Sequence, residues 1–534
     1  MLELSRTPVY YAGSTESFNF PCFSTDLSSA ALIGIYAIVG IATPILGSHF
    51  MSDETATENT RPLGRLSPLK LAAVPTFAGM LKYVGPGIVW AGLAQGSGEL
   101  IWWPYLTAKY GAAFIGLLIP AALMQFWVNV EIARYTIMTG ETALTGFSRV
   151  GKWYVSAIWV GVFLENIWFG AYASAGGGAL AELTGFPYGW TVRGQSLFWA
   201  YLTIGIYLVA LFMGRVVYLI VERLTMAVVV ITMVGIAFAV FQRPVLDVAG
   251  EFFGVLLTPG YHRPANWDPA DLSTVLTAIV FAGAGGFGQL FLSYWMRDKG
   301  VGMSAYIGRV TSPLRTAPET ISATGYAFED NEANRTNYGK FMRYLKLESG
   351  LGVALNLVTT IIMCWLAWAL LKPQGIVPEG WEIAVVQSAF FEVSWGAIGK
   401  VVFLIVAAAF LCDAWLQSTD GFARMQADFI YANVKRARRY HFRTLYYGFV
   451  VVFTVLTTIT LPLAQPGDLL IIRGVIAFMA MGLFCPGLIY LNYVLVPRAF
   501  PSWVKPHPLT RVIMVAITAT YISIGLWYIF VRLS

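Results

Sequence analysis

The chain has 534 residues, 57% of them hydrophobic and only 12% charged, with a formal net charge of +6 and a mean hydropathy of +0.65. A soluble domain carries about 25% charge, so the composition excludes a soluble globular protein. No nucleotide loop, nucleophile elbow, zinc pattern or ordered catalytic triad is present, and no soluble segment is large enough for a catalytic domain. The chain reads as neither an enzyme nor a holder of a resident cofactor.

Residues 1–80 read as an N-terminal tail. Within it, 31–47 is an apolar stretch interrupted by Pro44, short for a membrane span, and Arg6 alone precedes it, a poor start for a signal peptide. Met51-Ser-Asp-Glu-Thr then resembles an ordinary polar start. Residues 1–50 are therefore expected either to form an extra anchor or, the favoured reading, to precede the natural start and be dispensable. Eleven apolar core spans follow at 81–106, 113–134, 153–181, 197–214, 219–241, 273–295, 351–371, 399–421, 445–464, 469–495 and 511–532. Most reach the ~20 residues that cross the hydrocarbon of a bilayer.

Two spans are interrupted by glycine, five spans apart. One reads Gly92-Leu-Ala-Gln95-Gly96-Ser97-Gly98-Glu99, the other Gly283-Ala-Gly285-Gly286-Phe-Gly288-Gln289. Glycine weakens helix continuity, and backbone freed inside a membrane must find partners in protein, water or an ion. Paired interruptions at matching places in two halves point to a transporter's binding site. A repeat of five spans also turns the two halves in opposite orientations. The expected architecture is all-α, with a first repeat over 81–241, a second over 273–495, a closing helix at 511–532, and discontinuous first and sixth helices.

Lys and Arg set the orientation. Assigned to the nearer face, 26 fall on the side of residues 51–80 and 8 on the other. Cytoplasmic loops carry that excess, which places 51–80 inside, Ser534 outside, and the protein in a plasma membrane, the bacterial inner membrane being the expected one. The positive charge reflects topology and anionic lipid, not nucleic acid. The longest polar segment, 297–346, lies inside, and Arg297-Asp-Lys299 is read as the point where the sixth helix leaves the bilayer. Residues 373–397 suggest an interfacial helix outside.

Ionisable residues within spans are costly and therefore informative. Glu99 follows the first break, and Gln289 with Ser293 follows the second. Glu165 and Asn166 lie near the middle of the third span. Asp413, Gln417 and Asp420 repeat along one stripe of the eighth, and Asn492 stands alone in the tenth. Several have plainer readings. Gly92 and Gly96 form a small-xxx-small pair that lets helices approach, Gly176-Gly-Gly178 serves packing, and Glu165 is a neutral hydrogen-bonded acid. Asn492 is an interhelical hydrogen bond, and Asp420 is solvated or paired with Arg424. The four cysteines show no CxxC spacing, and the four histidines fall outside the spans.

At this point the chain resembles the Nramp metal-ion transporters. The resemblance rests on Lys82-Tyr-Val-Gly85-Pro-Gly87 before the first break, Gln125-Phe-Trp-Val-Asn-Val-Glu131-Ile-Ala-Arg134, Thr139-Gly140-Glu141, and Gly214-Arg215 followed by Glu222. It spans roughly residues 70–495 and implies the LeuT-type inverted-repeat fold. The family's metal motifs are replaced. Its first-span Asp-Pro-Gly-Asn falls on Gly96-Ser97-Gly98-Glu99, and its sixth-span Met-Pro-His-Asn on Gly286-Phe287-Gly288-Gln289. Its third-span acidic pair lands near Phe169 and Tyr172. Without thioether or imidazole, soft-metal preference is lost, while hard cations such as Mg²⁺ stay compatible with oxygen ligands.

The expected substrate site is Gly96, Ser97, Glu99, Gly286 and Gln289, with Glu99 and Gln289 as the ligands if the substrate is a metal. Asp413, Glu165 and Gln417 are candidates for a coupling ion or relay, and transport is expected to be uncoupled or driven by an ion other than the proton. The favoured activity is alternating-access transport of a hard divalent cation. An amino-acid or amine transporter of the same superfold, or a transporter-shaped receptor that moves nothing, stays open.

Overall fold

A computed structural model describes residues 60–213, 217–258, 263–311, 313–314 and 319–534. The expectations for residues 1–50 and for Gly214-Arg215 lie outside them. Eight helical runs among the described residues are long and apolar enough to cross a membrane. The first, Pro86–Thr139, holds two of the expected spans, and Thr225–Ala239 and Pro269–Val280 are shorter apolar helices.

The first half comprises α1 (Pro86–Ala94), α2 (Trp103–Tyr110), α3 (Leu118–Thr139), α4 (Ala143–Val150), α5 (Lys152–Asn166), α6 (Gly170–Thr184), α7 (Val192–Met213) and α8 (Val217–Ala239). The second comprises α9 (Leu272–Val280), α10 (Phe291–Asp298), α11 (Glu332–Leu366), α12 (Ala397–Asn433), α13 (Phe442–Thr460) and α14 (Pro466–Tyr490), and α15 (Pro508–Leu533) closes the chain.

The two glycine-rich segments interrupt their helices differently. Between α1 and α2 the chain stays helical but widens into a π-helical stretch, Gln95–Trp102, a form that recurs at functional sites. Between α9 and α10 it turns and resumes as a 3₁₀ segment, Gly286–Leu290. There Gly285 and Gly286 take φ of 73° and 49°, a left-handed backbone that disfavours other residues.

Glycine also sets the helix spacing. A Cβ on Gly96 would come 2.8 Å from the Ala414 side chain of α12, and one on Gly98 only 1.9 Å from the Phe281 carbonyl. The packing reading of Gly176-Gly-Gly178 holds, since Cβ atoms there would strike Cys412, the Ser196 carbonyl and the Trp381 carbonyl. The long α12 runs through the middle of the bundle, packed against α1, α5, α6, α8 and α13.

On the face that bears the segment before α1, a small sheet forms. Strand β1 (Thr60–Arg61) pairs antiparallel with β2 (Leu69–Leu71), which pairs parallel with β3 (Tyr326–Ala327), Lys70 opposite Tyr326. Buried Arg149 fastens this layer. It donates to the carbonyls of Leu63 and Ser67 at 2.7 and 3.1 Å and pairs with Glu141 at 2.5 Å. Glu141 also accepts from Tyr135 at 2.5 Å and from the Gly325 amide at 2.7 Å.

Burial pushes the Glu141 carboxyl up, but the Arg149 guanidinium and these hydrogen bonds outweigh it and leave the group below the usual carboxylate range. A carboxyl depressed in the folded state contributes stability above its unfolded pKa and loses it as pH falls through the folded value. Acidification below about pH 4 is therefore expected to release residues 60–71 first. Hydrogen exchange that rises there before it rises in α12 is the predicted result.

The sixth helix ends at Asp298, at the charged run expected there, but Arg297 and Asp298 are each only 3% exposed and are buried against protein. Arg424 pairs with Asp298 at 2.5 Å and with Asp420 at 2.8 Å, the i,i+4 pairing anticipated for Asp420. Asp420 also accepts from Tyr446 at 2.6 Å. A helix can end in charge without leaving the protein when neighbours supply the counter-charge.

Candidate functional site

The π-helical stretch presents Gln95 and Glu99 to α11, and both are fully buried. Thr360 donates to Glu99 Oε1 at 3.1 Å, and Gln95 Nε2 donates to Thr359 at 3.1 Å. Asn356 stands beside the same carboxylate and donates to the Ala282 carbonyl, at the turn of the second interruption, at 3.2 Å. Three acceptors remain without a hydrogen-bond partner among the described residues: Gln95 Oε1, Glu99 Oε2 and Asn356 Oδ1. Buried polar atoms are nearly always satisfied, so each such orphan calls for a cause.

Sequence reasoning missed Asn356, Thr359 and Thr360. Their signal was the spacing i, i+3, i+4 within an otherwise apolar stretch of α11, which puts all three on one helix face.

Gln289 has other partners. Its Oε1 accepts from Trp90 Nε1 at 2.8 Å, and its amide nitrogen donates to Gln125. Gln125 in turn reaches the Val280 carbonyl at 3.2 Å and the Tyr521 hydroxyl at 3.1 Å. Glu99 and Gln289 thus belong to separate hydrogen-bond sets, one on α11 and one on α1 and α3. Gly96 and Ser97 lie inside the π-helical stretch, and Ser293 bonds back to the Leu290 carbonyl at 2.6 Å.

The 3₁₀ segment is held from the third span. Glu165 Oε2 accepts the Phe287 amide at 3.0 Å, and a Cβ on Gly286 would lie 2.6 Å from that oxygen. Glu165, read as a hydrogen-bonded acid, is hydrogen-bonded, and it also has buried Arg473 of α14 as a partner at 3.4 Å. Arg473 also donates to Tyr172, and its guanidinium sits 3.9 Å from the Phe169 ring centroid and 4.4 Å from that of Phe281. In the charge count Arg473 fell among the outer residues, yet it is fully buried. A single arginine inside the tenth span was the available signal.

Asp413 lies where α12 meets α8 and α1. Its Oδ2 accepts from Thr225 and from Gln417, each at 2.7 Å, while Oδ1 and Gln417 Oε1 have no partner among the described residues. Asn492 donates to the carbonyl and carboxylate of Glu131 at 2.8 and 2.9 Å, the interhelical bond expected of it. Among the described residues no group of three or more His, Cys, Asp or Glu gathers as a metal cluster. Any cation held at Glu99 would therefore draw at least in part on amide, hydroxyl or carbonyl oxygens, such as those of Gln95, Asn356 and Thr360.

No family model and no curated protein matches the chain. Solved structures do. A histidine-to-alanine mutant of the Eremococcus coleocola manganese transporter aligns over 90% of this chain and 99% of its own, with a TM-score of 0.58 at 13% identity. A glutamate-to-glutamine mutant of the same transporter gives the same figures. Mhp1, a nucleobase-cation-symport-1 family transporter in a closed conformation, aligns over 88% of this chain and 95% of its own, with a TM-score of 0.50 at 14% identity. Identity this low speaks for fold alone. The chain is an integral membrane protein with the helical LeuT-type inverted-repeat fold; its sixth helix is discontinuous as expected, while the first, expected to break, stays helical through a π-helical stretch.

Proposed function

We propose that the protein is a secondary transporter that carries a hard divalent cation across the membrane by alternating access, with residues 60–80 cytoplasmic and Ser534 outside. One observation carries this reading. Glu99 brings a buried carboxylate with an orphan oxygen into the π-helical part of the first helix, and Gln95 and Asn356, bonded to the same stretch of α11 and to the turn of the second interruption, each keep an orphan oxygen as well. An isolated buried carboxylate is expensive unless it is paired or binds a cation. The donors are all oxygens, which suit Mg²⁺, Mn²⁺ or Ca²⁺ better than soft ions. Gln289, fully engaged by Trp90 and Gln125, supports the second interruption and is not assigned as a ligand. The charge asymmetry of the loops supports the orientation, and the repeats at 81–241 and 273–495 support alternating access by rocking of one helix bundle against the others.

Uptake into proteoliposomes tests the reading with Mg²⁺, Mn²⁺, Ca²⁺, Cd²⁺ and a panel of amino acids and amines. Uptake of a hard divalent ion, with Cd²⁺ a poor competitor, is the expected result. Transport of amines alone would replace a metal substrate by an ammonium group facing Glu99, and strong Cd²⁺ competition would require a sulfur ligand.

A further inference from the structure

A groove of about 570 Å³ opens between the C-terminal half of α3, the first turns of α11 and the 503–507 linker that leads into α15. Arg335, Lys346, Lys505 and His507 line it, with no Asp or Glu among the lining residues. All four side chains are exposed. The acids nearest by bonding are already engaged, Glu131 with Arg134 at 3.1 Å and Asp330 with the Trp503 ring nitrogen at 2.7 Å. Apolar side chains share the lining. Phe126 and Trp127 pack edge to face, their centroids 5.2 Å apart, and Leu509 is 60% exposed.

The groove thus combines exposed cations with apolar and aromatic side chains, between helices apolar enough to cross a membrane. That is the pattern of an anionic headgroup above acyl chains: basic pockets between transmembrane helices hold acidic lipids, and aromatic rings sit at headgroup level. A volume of this size accommodates a bound small molecule or headgroup. We infer that this groove binds one anionic phospholipid from the leaflet facing residues 60–80, its phosphate among Arg335, Lys346 and Lys505 and its chains along Trp127 and Leu509. The inference stands apart from the transport reading, since it concerns neither Glu99 nor the interrupted helices.

Native mass spectrometry of the full chain, with phosphatidylglycerol and phosphatidylcholine added in equal amounts, tests it. Phosphatidylglycerol is expected to be retained about tenfold better. Arg335→Gln/Lys346→Gln/Lys505→Gln should remove that preference while leaving phosphatidylcholine adducts and the thermal transition unchanged, and Lys505→Glu alone should weaken it in the same direction. Equal retention of the two lipids, unchanged preference in both variants, or displacement by millimolar glycerol phosphate, which would point to a soluble phosphate ligand, each overturns the inference.

Discussion

Glu99→Gln is expected to weaken substrate binding by at least about 100-fold while the protein still inserts and folds. The substitution keeps the volume and retains an oxygen toward Thr360, at 3.1 Å in the wild type, so packing is preserved. What it removes is the formal charge. Neither Gln95 nor Asn356, uncharged side chains each with an orphan oxygen of its own, can replace it. Calorimetry on the purified variant, with its thermal transition as the control for folding, makes the comparison. Unchanged affinity would move the site away from the first interruption, and Asp413, with its own orphan oxygen, would become the residue to test.

Arg473→Met should produce the largest loss of stability. Arg473 and Glu165 are fully buried and 3.4 Å apart. Removing one member of such a pair leaves an uncompensated charge, typically costing about 3–5 kcal/mol, whereas replacing both by neutral groups is often far milder. The double variant Glu165→Gln/Arg473→Met should therefore recover most of the thermal stability lost in Arg473→Met. If the double variant were as unstable as the single one, the guanidinium would matter through its contacts with Phe169, Phe281 and Tyr172, and the ion pair would be incidental.

The class of fold was legible because it rests on long-range regularities of the chain. Eleven apolar stretches, an alternation of basic loops and two glycine-rich interruptions five stretches apart need no knowledge of contacts. Glu99, Glu165 and Asp413 stood out for a similar reason, since a charge in an apolar helix carries a visible cost. Their partners did not stand out. Thr360, Asn356 and Thr225 are weakly polar residues whose importance depends on which helices face each other, and linear spacing does not encode that. Gln289 illustrates the opposite error. Its place after the second interruption suggested a ligand, but Trp90 and Gln125 use both ends of its amide. Arg473 was hidden by its position near a helix end, where a charge is normally assigned to water.

The meeting of Gly98 with the Phe281 carbonyl has a mechanical consequence. With no side chain at position 98, the backbone of one interrupted helix lies against the backbone of the other, and an added methyl group would fall 1.9 Å from that oxygen. No flexible side chain lies between them to absorb sliding. At this contact the two glycine-rich helices have no room to slide through each other, so displacement of one presses on the other. Under the transport reading proposed above, they would move together, and access would be set by the helices around them.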